Sequence, residues 1–182
     1  MKLFAKEAVN SIKNIGAVAP SSKYLAKNIL KHVDFQENQV FLEFGSGNGA
    51  ITKQILKRLP SSSKLISLEI NAPFLEHCKE KFGHYSNFEA YNHSAFEFDT
   101  LLKELSINKV DYLISSLPLA ILPKEGLDSM FKKIPKYLTE KGSFVQYQYS
   151  LNKYKYLKNV FDNVKLDFTL GNIPPAFVYR CS

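Results

Sequence analysis

The chain has 182 residues, 45% of them hydrophobic, which is enough to bury one core and too few for two comfortable domains. One domain over 1–182 is expected, with 1–33 as an N-terminal helical segment and 38–182 as the core. Lys and Arg outnumber Asp and Glu by 24 to 17, and a net charge of +7 favours an anionic partner, nucleic acid or an acidic membrane face, without choosing between them. Two distant cysteines, Cys78 and Cys181, exclude a disulfide framework and fit a reducing, cytoplasmic setting. No stretch approaches the roughly 20 apolar residues of a membrane span. Lys6, Glu7, Asn10 and Lys13 interrupt the apolar residues at the start, so no secretory h-region is expected there.

Phe4, Ala8, Ile12 and Ile15 recur at helical spacing, and beyond Pro20 the lysines 23, 27 and 31 form a stripe opposite Leu25 and Ile29. This pattern describes helices covering a core with a solvated lysine edge; its sharper reading is a basic amphipathic helix on an anionic membrane surface. Val40 to Phe44 reads as a buried strand ending in glycines, and Ala50 to Leu59 as the helix after it. Leu65 to Ile70 is a second strand, and Pro73 starts a helix running toward Phe82. Phe88 to Tyr91 and Tyr112 to Ser115 are further strands, with a helical stretch around Phe96 to Leu105 between them. Pro123 to Leu138 is helical in pattern and Ser143 to Tyr149 is a fifth strand.

Strands separated by helices imply right-handed crossovers and a mainly parallel, doubly wound α/β sheet in three layers. Val164 to Leu170 and Ala176 to Cys181 have only Gly171 to Pro175 between them, too little for a crossover helix, so the last of seven strands should pair antiparallel. Rossmann-like methyltransferases have this arrangement.

In VFLEFGSGNGAIT, the glycines Gly45, Gly47 and Gly49 and Ser46 lie between a strand's C-terminal end and a helix, where open α/β sheets bind ligands. Absent side chains admit close backbone approach, and the helix start favours an anionic group. For S-adenosylmethionine this would be the amino acid end, with Glu43 facing its ammonium. Glu69 ends the second strand 20 residues beyond Gly49, the distance at which a carboxylate accepts from ribose hydroxyls; Ile70 would cover one face of the adenine. A lone glycine loop is often a plain tight turn, but a second acid in register argues against that here. The spacing Gly45-x-Gly47-x-x-Ala50 also satisfies a dinucleotide fingerprint, though nicotinamide enzymes usually need a substrate region for which this chain has no room. No Walker lysine follows the loop, and Ser46 lacks the frame of a hydrolase nucleophile. Histidines 32, 77, 84 and 93 show no metal-ligand spacing, so no metal is expected.

Taken together, GAVAPSSKYLAKNIL (16–30), LEFGSGNGAITKQIL (42–56), SSLPLAILPKE (115–125), GSFVQYQYS (142–150) and NIPPAFVYR (172–180) resemble the bacterial phospholipid N-methyltransferase family, within the wider relatives of ribosomal RNA adenine dimethyltransferases. The resemblance implies an S-adenosylmethionine-dependent N-methyltransferase acting on the amine of phosphatidylethanolamine or a related lipid, on the inner face of the cytoplasmic membrane. It places Pro20, Ser21 and Ser22 over the methionine part of the cofactor, Ser115 beside it, and Ser116, Leu117 and Pro118 at the reacting amine. Tyr149 matches a tyrosine of the family's Q-F-T-Y stretch. Relatives carry Asp before Ala in the loop after the third strand, where this chain has Ser94-Ala95, so a hydroxyl would meet the adenine.

Adenine N6-methyltransferases carry N-[IL]-P-[YF] at the fourth strand's end, where the ring stacks on the base. Ser116-Leu117-Pro118-Leu119 lacks both the amide and the ring, which suits an aliphatic amine better than a flipped base. The competing expectations are a nucleic-acid adenine methyltransferase and a cofactor-binding module without transfer activity.

Overall fold

The computed structural model describes residues 23–169 and 175–182. The expected front helix around Phe4 to Ile15, and Pro20, Ser21 and Ser22, lie outside them, as does most of the Gly171 to Pro175 connection.

Seven strands form one sheet: β1 (Val40–Phe44), β2 (Lys64–Leu68), β3 (Phe88–Tyr91), β4 (Val110–Ser115), β5 (Leu138–Gln148), β6 (Val164–Thr169) and β7 (Ala176–Cys181). Their spatial order is β3-β2-β1-β4-β5-β7-β6. The first five pair in parallel, and β7 pairs antiparallel with both β5 and β6. This is the doubly wound Rossmann-like sheet with its closing hairpin. The order reverses between β1 and β4, and that switch point brings the loops after these two strands side by side.

Helices cover both faces. One face carries α1 (Lys23–Ile29), α2 (Ala50–Leu56) and α3 (Ala72–Phe82), which bury Leu25, Ile29, Ile51, Ile55, Cys78 and Phe82 against Phe41, Leu65 and Ile114. The other carries α4 (Phe98–Glu104), α5 (Lys124–Tyr137) and α6 (Tyr154–Lys158), around Phe44, Phe98, Phe131, Phe144 and Tyr179. Alternate residues of each strand feed opposite faces, as period-two geometry requires. Lys27 and Lys31 are exposed while Leu25 and Ile29 are buried. The apolar side of α1 is therefore spent on the core, while Lys27 within it and Lys31 just beyond it face solvent.

Two departures from the sequence pattern have physical causes. β5 starts at Leu138, five residues before Ser143, because Val110 pairs with Leu138 and Tyr112 already with Ser143. The residues between form an irregularity pinned by Thr139 Oγ1 donating to Asp111 Oδ1 at 3.2 Å, and no hydrophobic alternation marks it. The five-residue α6 is too short for helical periodicity to register in the sequence.

Candidate cofactor and acceptor site

β1 ends in a tight loop whose glycines all take left-handed φ values, 76° at Gly45, 50° at Gly47 and 76° at Gly49. Only glycine adopts these without strain. At Gly47 a Cβ would meet nothing within 4 Å, so this peptide faces open space. At Gly49 it would stand 2.4 Å from Phe82 Cε2 and 3.3 Å from Cys78 Sγ, so the loop packs directly on α3. Phe82 is buried and has little freedom to retreat. Gly49→Ala is expected to destabilise the fold by about 2 kcal/mol or more, from φ strain and overpacking together, and thermal melting checks this.

Glu69 follows β2 and is 7% exposed. Its Oε2 accepts from Gly47 N at 2.9 Å and its Oε1 from Asn71 N at 2.8 Å. One carboxylate thus fixes the glycine loop and the N-cap of α3 together, and each oxygen keeps a further lone pair. Cys78 Sγ donates to Gly47 O at 3.4 Å from below, and burial pushes this thiol up to about 11, so it stays a donor.

Glu43 is 1% exposed beneath the loop. Thr52 Oγ1 in α2 donates to its Oε2 at 2.8 Å. Burial raises its carboxyl to about 7, against the lowering effect of hydrogen bonds from Thr52 and Ser67, and the nearby Glu69 charge raises it further. Apart from the contact with Ser67, Oε1 of Glu43 is buried without a hydrogen-bond partner, and Ser46 Oγ is buried close by. Unsatisfied acceptors behind an open glycine peptide, with a carboxylate at its side, match what a cation with a ribose diol requires. S-adenosylmethionine fits this donor and acceptor set.

The loop after β4 meets the glycine loop directly. Ser116 N donates to Phe44 O at 3.1 Å, and Ser116 Oγ donates to Gly45 O at 2.6 Å. Ser116 is therefore anchored to the glycine loop, with its lone pairs directed elsewhere. Ser115 is fully buried, and its Oγ accepts from Leu117 N at 3.3 Å. Leu119 is fully buried in the core, turned away from the surface.

Of the other expected residues, Ser94 caps a short 3-10 turn, its Oγ accepting from Phe96 N at 3.2 Å, and Ala95 begins that turn. Ile70 is half-buried one residue beyond Glu69. Tyr149 follows β5, is 36% exposed, and rests its ring edge-on to Tyr147 at 5.8 Å. It is exposed and no part of the core. Glu43, the glycine loop, Glu69 and Ser116 are linked by hydrogen bonds or adjacent strand ends; Tyr149 stands apart, just beyond the end of β5. The Thr52 and Asn71 contacts went unread in the sequence, although Asn71-x-Pro73 is a recognisable N-cap pattern. Among the described residues no group of three His, Cys, Asp or Glu is placed to hold a metal, and no helix is long and apolar enough to cross a membrane.

Residues 21–134 match the ribosomal RNA adenine dimethylase family. The chain is 29% identical over 168 residues to the ornithine lipid N-methyltransferase of Singulisphaera acidiphila, a match covering 92% of this chain and 88% of the relative. It is 38% identical over 98 residues to ribosomal RNA small subunit methyltransferase A of Mycoplasma mycoides, covering 52% of this chain and 34% of the relative. The chain thus spans about a third of the length of that ribosomal RNA enzyme. In fold it is similar to the precorrin-6y C5,15-methyltransferase of Geobacter metallireducens, with a TM-score of 0.68, 13% identity, and 87% and 86% of the two chains covered. A glycine loop at the switch point, an acid at each of the first two strand ends and a family match over more than half the sequence lead to one assignment: the chain belongs to the ribosomal RNA adenine dimethylase family of S-adenosylmethionine-dependent methyltransferases.

Proposed function

We propose that this methyltransferase acts on the amine of a membrane lipid headgroup, phosphatidylethanolamine-like or an ornithine lipid, at an anionic membrane surface. The observation that carries the reading is Leu119. Where a base-methylating enzyme needs a ring to stack on a flipped adenine, this chain has an aliphatic side chain fully buried in the core. The lipid-acting relative supports it further by matching over nearly the whole chain, whereas the ribosomal RNA methyltransferase of Mycoplasma matches over about half.

In this reading Glu69 takes the ribose hydroxyls, Glu43 and Ser46 face the charged amino acid end, Ile70 and the Ser94-Ala95 turn border the adenine, and Ser115 supports the loop beside the cofactor from the strand end. When bound, S-adenosylmethionine supplies a methyl group on a cationic sulfur. The acceptor amine has to be neutral and in line with it, so alignment and water exclusion do most of the work. The apolar edge of Leu117 and Pro118 disfavours an ammonium and lowers its pKa. Ser116, whose proton is committed to Gly45 O, offers lone pairs to a remaining N–H. Tyr149 at the rim orients the headgroup. Lysines of the N-terminal segment, with Lys27 exposed on α1 and Lys31 exposed just beyond it, attract anionic lipid at roughly 1 kcal/mol each.

The test supplies labelled S-adenosylmethionine together with either vesicles of phosphatidylethanolamine or ornithine lipid mixed with anionic lipid, or ribosomal RNA. Label is expected in the organic phase. Label confined to RNA would overturn the substrate and leave the cofactor site standing.

A further inference from the structure

Beneath the loop that follows β4 lies a pair of side chains that the cofactor and acceptor roles above do not use. Gln146 and Gln148 stand two apart on β5 and so project from the same face of the sheet. They are 0% and 6% exposed. Gln146 Nε2 donates to Leu117 O at 3.1 Å and to Tyr147 O at 2.7 Å. Gln148 Nε2 donates to the same two oxygens, at 2.9 Å and 2.7 Å. Two carboxamides and two carbonyls thus close a ring of four hydrogen bonds across the gap between β4 and β5.

Leu119 N also donates to Leu117 O at 2.9 Å, so that carbonyl accepts three donors and has no capacity left. Meanwhile Gln146 Oε1 is buried without a partner. An apolar side chain of the same size would avoid that cost, so stability alone does not account for this glutamine. The pair instead ties the Leu117 carbonyl to the Tyr147 carbonyl of β5 through shared donors, and so sets its direction and with it the course of the backbone from Ser116 to Pro118.

We propose that Gln146 and Gln148 are positioning residues for methyl transfer: by drawing the Leu117 carbonyl into the protein they fix the Ser116–Pro118 backbone that borders the reacting amine. The proposal rests on the reading that this segment faces the acceptor. It divides the site into two supports, the acid-and-glycine frame that holds the cofactor and the glutamine pair that holds the acceptor side. A shift of about 1 Å in such a backbone is worth on the order of a hundredfold in rate.

Gln146→Met, Gln148→Met and the double variant preserve bulk and remove the donors; Gln148→Asn keeps the amide but retracts it by one methylene. For each, kcat and KM are measured with the acceptor identified above, lipid or RNA, alongside cofactor affinity by calorimetry and thermal melting. The expected result is a kcat lowered about tenfold by each single change, and by less than the product of the two in the double variant, because both amides serve the same oxygens. Cofactor affinity should stay within about twofold of the parent. Should the Met variants fail to fold, Gln148→Asn carries the test, and a folded Asn variant with unchanged kcat overturns the proposal. Parallel losses of kcat, cofactor affinity and melting temperature would also overturn it, since they mark a merely structural role. Transfer by the parent to neither acceptor overturns both this and the reading it rests on; normal parental transfer with active variants overturns this proposal alone.

Discussion

Glu69→Ala is expected to weaken S-adenosylmethionine binding by about a hundredfold or more, because charge-assisted hydrogen bonds of roughly 1.5–3 kcal/mol each are lost both to the ligand and to the loop that holds it. The carboxylate is tied to Gly47 N and Asn71 N, so its removal frees the open peptide of the glycine loop and loosens the start of α3 at once. Glu69→Gln retains one acceptor oxygen and presents an NH2 to the other backbone amide, so it should bind with intermediate affinity. Calorimetric titration with S-adenosylmethionine or S-adenosylhomocysteine checks both. Affinity in the alanine variant within a few-fold of the parent would remove Glu69 from the cofactor site.

Glu43→Gln should raise stability at pH 8 and flatten its dependence on pH. The Glu43 carboxyl is raised by burial from 4.5 to about 7. Between those values the folded protein holds a proton that the unfolded chain has released. Stability therefore falls as pH rises through this window, and above it the loss is complete, at about 3 kcal/mol for a shift of this size. The glutamine variant has no such titration, so its melting advantage should grow from pH 5 to pH 8. On the proposed site a cationic ligand favours the ionised carboxyl, so cofactor binding by the parent should strengthen over the same range with release of a proton. The variant should bind more weakly and lose that dependence. Equal melting profiles for parent and variant across pH 5–8 would show that Glu43 does not titrate there.

These two acids also differ in how they could be read. Glu69 was legible as an acid in register with the glycine loop, to which it is bonded, because strand, loop and the end of the next strand keep a spacing set by one βαβ unit. Glu43 was legible as an acid before the loop, but its raised pKa was not, since that comes from burial beneath the loop and from Glu69 nearby. Gln146 and Gln148 stood in a recognised stretch, yet their targets lie 29 and 31 residues away in the chain. Only the parallel pairing of β4 with β5 brings them under Leu117.

The sequence by itself determined the order of the strands and of helices α1 to α5, the limits of β1, β3 and β7, and the antiparallel closure, because buried runs bounded by glycine, proline and short connections leave few alternatives. It also determined the glycine loop, whose positive φ values require that residue. The tertiary structure decided what pattern does not encode. It buried Leu119 and left Tyr149 exposed, turned the Ser116 hydroxyl onto Gly45, made Ser94 the cap of a 3-10 turn and filled the Leu117 carbonyl with three donors. Each of these depends on which groups distant in sequence share one small volume, and packing across the switch point of the sheet, unlike local spacing, sets that.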